Sequence, residues 1–139
     1  MISLYCFNLS PLSMAQILIA SLLAICFLQS GIDKIIDRKG NLAWLMGHFS
    51  NTPFKNIVPL LLMIITLLEL LGGLFCAVGI FYFLIIGDMK LIFYGLIINA
   101  VALVALFLGQ RLAKDYEGAA VLIGYFIITI IGILTFSFI

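Results

Sequence analysis

Charge is what this chain has least of. Charged residues make up 9% of its 139 positions, against about 25% in a soluble domain, so it has too little polar surface to stand in water as a globular fold. The net charge of +1 supplies no basic field, and no nucleic-acid partner is expected. Histidine occurs once, at His48, so neither a bis-histidine haem nor a three-histidine zinc site can be built within one chain. Cys6, Cys26 and Cys76 form no C-x-x-C pair, which removes a thioredoxin-like motif and a four-thiolate metal site. Cys26 and Cys76 fall in apolar stretches where a thiol is ordinary packing, with a contact between the two as the alternative. Residues 1–32 contain no Lys or Arg, so the apolar run 12–28 lacks the positive region of a secretory signal and reads as a retained span.

Hydrophobic residues are what remain, at 65% of the chain with a mean hydropathy of +1.35. They gather into four stretches, 12–31, 57–87, 91–110 and 118–139. At about 1.5 Å per residue, roughly 20 helical residues cross the ~30 Å hydrocarbon core of a bilayer. The expectation is an all-α fold: an integral membrane, antiparallel bundle of four transmembrane helices, forming a single transmembrane domain over residues 1–139.

The first connection, 32–56, is the long one. Leu42, Leu45, Met46 and Phe49 follow i, i+3, i+4, i+7 spacing, which predicts a short amphipathic helix. Asn41 is a candidate N-cap, Trp44 and His48 flank the apolar face, and Thr52-Pro53 would stop the helix. Such a helix suits the headgroup zone; a loop folded over the bundle end is the alternative. Gly87-Asp88-Met89-Lys90 reads as a tight turn, and Pro59 fits the first turn of the second span. In the third connection Arg111 and Lys114 close one helix while Asp115 and Glu117 open the next, each sign matched to the helix dipole it faces.

Connections 32–56 and 111–117 fall on the same side of such a bundle. Together they hold Lys34, Arg38, Lys39, Lys55, Arg111 and Lys114, against Lys90 alone on the other side. The positive-inside rule places both in the cytoplasm and both termini outside.

Lipid tails are as apolar as leucine, so close backbone approach has to hold the helices together. Small residues recur for that purpose: Ala20, Ala24 and Gly31; Gly72 with Cys76 and Gly73 with Ala77; Gly95, Asn99 and Ala102; Ala120 with Gly124. Phe75, Phe81, Phe83, Phe93, Phe107 and Phe126 would then mostly face lipid or partner subunits.

Glu69 is the one ionisable residue well inside a span. A carboxyl at that depth marks a site by default and needs protonation or a donor inside the bundle. Asn99 on the third span lies at similar depth, and Gln29 on the first is a second donor; Lys34 can reach inward only in part. These residues form either interhelical glue or a pocket that binds a head group or relays a proton. Gln29, Ser30 and Asp33 at the end of the first span read more simply as helix-end solvation.

Two segments then carry a resemblance. Phe27-Leu28-Gln29-Ser30-Gly31-Ile32-Asp33-Lys34 and Glu69-Leu70-Leu71-Gly72-Gly73-Leu74, with Gly79 beyond, resemble the F-x-x-x-G-x-x-K and E-x-x-G-G motifs of the DoxX/DoxD-like family of small four-span bacterial membrane proteins. The likeness covers essentially the whole chain and singles out Gly31, Lys34, Glu69, Gly72 and Gly73. It implies no catalytic residue. It implies an accessory, non-catalytic subunit of a larger membrane assembly, such as a quinone-linked respiratory or sulfur/oxidative-stress oxidoreductase. Other membrane subunits and the lipid bilayer would be its partners, with a homo-oligomer left open. The alternative is an autonomous binder or carrier of a small apolar molecule, a quinone or lipid, in an intramembrane pocket around Glu69. No metal or cofactor ligands are expected in the chain itself beyond such a bound quinone or lipid. A secondary transporter is disfavoured, because no inverted repeat or broken paired span is present.

Overall fold

The computed structural model describes residues 9–138; Cys6 and the terminal residues of the orientation reading lie outside the described residues. Ser10 opens the first helix, α1 (Pro11–Ile36): its hydroxyl accepts from the Ser13 amide at 3.0 Å, and Pro11 follows at the position where a missing N–H costs nothing. α1 runs five residues past the predicted boundary at 31, through Asp33 and Lys34. Neither residue breaks a helix, and a charge run alone is a poor stop signal.

Asp37 ends α1 and begins α2 (Arg38–His48), its carboxylate accepting from the Gly40 amide. The cap is therefore Asp37 rather than Asn41, whose side-chain amide instead donates back to the Asp37 carbonyl at 2.8 Å. The predicted amphipathic helix is present, but none of its residues is fully buried; Leu42 and Leu45 are half-buried and Trp44 and Met46 exposed. It stops at His48, ahead of Thr52-Pro53, and turns carry the chain to α3 (Val58–Ile86).

Gly87 ends α3 in the left-handed region at φ 85°, which an L side chain rarely adopts, and its amide bonds back to the Phe83 carbonyl at 2.8 Å. The Asp88 carboxylate accepts from the Lys90 amide to start α4 (Lys90–Leu112). Asp115 caps α5 (Tyr116–Thr135) by accepting from the Gly118 amide at 2.9 Å, and a 3-10 turn, Phe136–Phe138, follows. Arg111 stacks over the Tyr116 ring at 4.6 Å, a cation–π contact in addition to the expected dipole match.

α1, α3, α4 and α5 are each long and apolar enough to cross a membrane. No strand occurs among the described residues. α3 packs against both α1 and α4, α4 packs against α5, and α1 also touches α4 and α5. Ala20, Leu23, Cys76, Ile92, Leu96 and Ala102 lie at the centre with no accessible surface.

Glycine sets how closely the axes approach. A methyl placed on Gly79 would sit 2.8 Å from the Ile92 backbone nitrogen, and one on Gly95 would sit 2.9 Å from that of Cys76. A methyl on Gly31 would meet the Leu70 side chain, and one on Gly73 that of Leu28. The small-residue stripes on α1, α3 and α4 are thus buried, except for Ala77, which is half-buried.

On α5 the expected stripe is wrong. Ala120 and Gly124 are exposed, and α5 packs through Ala119, Thr129, Gly132 and Thr135 instead. The helix is apolar all round, so periodicity could not say which face turns inward. The phenylalanines are also more divided than expected: Phe81 and Phe107 are exposed, while Phe75, Phe83, Phe93 and Phe126 are half-buried. Phe93 meets Phe136 edge-on at 5.0 Å. Elsewhere the exposed large apolar side chains are mostly aliphatic, Leu18, Ile25, Ile85 and Val121 among them, with Trp44, Tyr94 and Tyr116 also exposed.

Candidate functional site

Glu69 sits on the packed face of α3 with Gly72, Gly73 and Cys76, at spacings of three, four and seven residues. Its side chain is 1% exposed. The group that meets it is Lys34 from the last turn of α1, whose Nζ lies 3.0 Å from Oε1 and 3.4 Å from Oε2. Only the Oε2 contact is aligned as a hydrogen bond; Oε1 has the ammonium beside it and no hydrogen-bond partner. Lys34 Nζ also donates to Ser30 Oγ at 2.7 Å, one turn back along α1. Lys34 was expected to reach only part of the way. It arrives because the contacts of Leu28 with Gly73 and of Gly31 with Leu70 draw α1 onto α3 at that level.

The two expected donors lie elsewhere. Gln29 is exposed: two residues from buried Gly31, it points about 200° around the helix from the packed face. Asn99 is buried beside Gly72, and its Nδ2 donates to Cys76 Sγ at 3.4 Å rather than to Glu69. Asn99 Oδ1 has no hydrogen-bond partner. The register of α4 against α3 sets Asn99 beside Gly72 and Cys76, three and seven residues along α3 from Glu69, so its amide lies one to two turns past the carboxylate. Of the residues singled out in the sequence, Gly31, Lys34 and Glu69 come together, and Gly72, Gly73 and Asn99 lie on the adjoining turns.

Two cavities flank this ion pair. One, of about 210 Å³, is lined by Glu69 and Ser30 together with Cys26, Phe27, Leu103, Leu106, Leu122 and Tyr125. The other, of about 360 Å³, reaches from Lys34 towards α2 between α3 and the end of α4, under Asn41, Trp44, Leu45 and Phe49. Leu106 and Leu122 form part of the wall of both. Apart from Lys34, Asn41 and Gln110, the larger cavity is lined by apolar side chains and Gly109. Such a lining, with a few polar groups at one end, is the usual make-up of a small-molecule site.

A polar clasp holds α2 over the larger cavity. His48 Nε2 lies 2.7 Å from Gln110 Oε1, and Gln110 Nε2 donates to Asp115 Oδ2 at 3.1 Å. The same carboxylate oxygen is 3.8 Å from His48 Nε2. Trp44 stacks on the imidazole with ring centroids 4.4 Å apart. Residue spacing gave no hint of this clasp, because its members are 62 residues apart. At the opposite end, buried Gln16 donates to Thr135 Oγ1 at 3.0 Å and ties α1 to α5. A glutamine inside an apolar stretch was the available signal for that contact.

Comparison of the chain with protein-family models, with curated proteins and with solved structures gives no match. The reading of the site therefore rests on its own geometry.

Proposed function

We propose that this chain is an integral membrane protein whose four long helices form an antiparallel bundle, and that the bundle holds a small apolar molecule, a quinone or a lipid, beside the Lys34–Glu69 pair. Support for the bundle comes from the order of contacts. Rising numbers on α1 (Leu28, Gly31) meet falling numbers on α3 (Gly73, Leu70), and the same inversion relates Gly79 and Gly72 of α3 to Ile92 and Asn99 of α4. Support for the bilayer comes from aliphatic side chains over the outer surface and from the confinement of every charge except that of Glu69 to the helix ends and connections. The bias of basic residues supports placing α2 and the α4–α5 connection in the cytoplasm, and the resemblance to DoxX/DoxD-like proteins points to a bacterial cytoplasmic (inner) membrane.

One observation carries the binding reading: an ion pair at the junction of two apolar cavities whose combined size suits a ring with part of a tail. The polar end would orient the molecule and the aliphatic walls would supply affinity.

A second reading is favoured by a different observation. The two segments that resemble DoxX/DoxD-like motifs meet along one helix pair, through Lys34 with Glu69 and Gly31 with Leu70. That juxtaposition supports a DoxX-like accessory subunit of a quinone-linked membrane assembly, with other subunits covering part of the aliphatic surface. The two readings are compatible if the molecule is one the assembly uses.

Purification in mild detergent, followed by native mass spectrometry and extraction of bound lipids, tests both. The binding reading expects a lipid or quinone retained by the wild-type chain and lost from Leu122→Trp, which narrows both cavities at their shared wall. A stoichiometric complex with other membrane subunits supports the accessory reading. A chain that carries neither refutes both.

A further inference from the structure

The smaller cavity offers two hydrogen-bonding groups of opposite kind side by side. Glu69 Oε1 is buried, with the Lys34 ammonium 3.0 Å away but out of line for a hydrogen bond, and it keeps lone pairs free to accept. Ser30 Oγ accepts from Lys34, which leaves its own O–H free to donate. The buried hydroxyls of Thr66 and Thr129, like that of Ser21 on α1, spend their O–H on the carbonyl four residues back along their own helix. Ser30 has no such bond among the described residues. Both oxygens contact the same ammonium, and both residues line the same cavity.

We infer that this cavity selects a molecule by its hydroxyl group, and that its ligand is an apolar alcohol or phenol rather than a ketone, ester or ether. The inference rests on the proposal that the cavities bind an apolar molecule, and names the head group that such a molecule carries. A hydroxyl is a small uncharged group that both donates and accepts strongly through a single atom. Its hydrogen meets Glu69 Oε1 and its lone pair takes the Ser30 O–H.

A carbonyl oxygen can only accept. It would satisfy Ser30, add no donor to Oε1 beside the Lys34 ammonium, and bring its own partial negative charge against the carboxylate. An anionic head group is disfavoured as well, because the charge of Lys34 is already matched by Glu69. Phe27, Leu103 and Tyr125 leave apolar walls for the body of the ligand. Of the two redox forms of a quinone, only the reduced one presents the required group.

Sites built to hydrogen-bond a hydroxyl discriminate strongly against analogues that lack it, and a bond to a charged acceptor is among the stronger ones. The test uses the full chain in phosphatidylcholine nanodiscs with three probes of one shape: para-hexylphenol, its methyl ether and hexylbenzene. Native mass spectrometry reads the bound fraction at equal membrane concentration of each probe. The expected result is a preference for the phenol over the ether on the order of tenfold or more. That preference should collapse towards unity in the double variant Lys34→Met/Glu69→Leu, which removes the acceptor without leaving a charge unpaired, and, independently, in Ser30→Ala, which keeps both members of the ion pair. Equal binding of phenol and ether overturns the inference while leaving the binding proposal standing. So does a preference that survives in both variants. If none of the three binds, the binding proposal falls and this inference with it.

Discussion

Asn99 occupies the space that a side chain at position 72 would need: a methyl built on Gly72 would collide with Asn99 Oδ1. The pairing explains why a glycine stands one turn from Glu69. It also turns a run of small residues into a specific steric requirement, with consequences that differ from one glycine to the next.

Gly79→Ala would drive a methyl against the Ile92 backbone, which cannot move without shifting α4, whereas Gly124 has nothing within 4 Å of its would-be methyl. Overpacking of this kind costs about 1–3 kcal/mol. Gly124→Ala should be neutral or stabilising by up to about 1 kcal/mol, because alanine is the better helix former. Equilibrium unfolding in mixed micelles should rank Gly79→Ala well below the wild type and Gly124→Ala at or above it. The opposite ranking would show that α3 and α4 are not in close contact there.

Lys34→Met removes the ion-pair partner of a carboxylate that is 1% exposed. Breaking such a pair costs about 3 kcal/mol, whereas replacing both members with apolar residues is often close to neutral. The double variant Lys34→Met/Glu69→Leu should therefore regain more than half of what the single variant loses. Additive losses in the double-mutant cycle would mean that the two side chains do not interact.

His48→Ala cuts the clasp between α2 and Gln110. One hydrogen bond contributes about 1 kcal/mol, so amides of residues 40–48 should exchange roughly fivefold faster, while those of α3 are unchanged. Trp44 fluorescence should shift to the red as its stack with the imidazole is lost. Unaltered exchange in α2 would place its anchor elsewhere.

Orientation is read by a membrane-impermeant thiol reagent on a cysteine-free background. Asp88→Cys should be labelled from outside intact cells, and Asn51→Cys only after permeabilisation. The reverse pattern would overturn the cytoplasmic placement of α2.

The four long helices were legible because length and lack of charge need no knowledge of contacts. The turn at Gly87 and the amphipathic α2 were legible from local chemistry. Contacts between helices were another matter. Lys34 finds Glu69 only once Gly31 is set against Leu70, and that register is written in no single segment. Gln29 was misplaced because polarity within a span says nothing about which way the residue faces; its neighbour Ser30 is the one turned inward. The cap at Asp37 was missed because α1 was ended at the first charges. The His48–Gln110–Asp115 clasp joins α2 to the junction of α4 and α5, beyond the reach of any spacing rule.

The position of the ion pair also bears on how the chain is made. α1 precedes α3 in synthesis, so Lys34 leaves the ribosome before Glu69 does, and N-terminal elements are in place first. A carboxylate entering hydrocarbon alone is strongly disfavoured. On the proposed membrane reading, α1 is already at the insertion site when α3 emerges, so Glu69 meets a ready counter-charge and the two helices can enter the bilayer with the carboxylate paired. A Lys34 variant would then fail first during biogenesis, as a fraction of chains whose second span never inserts.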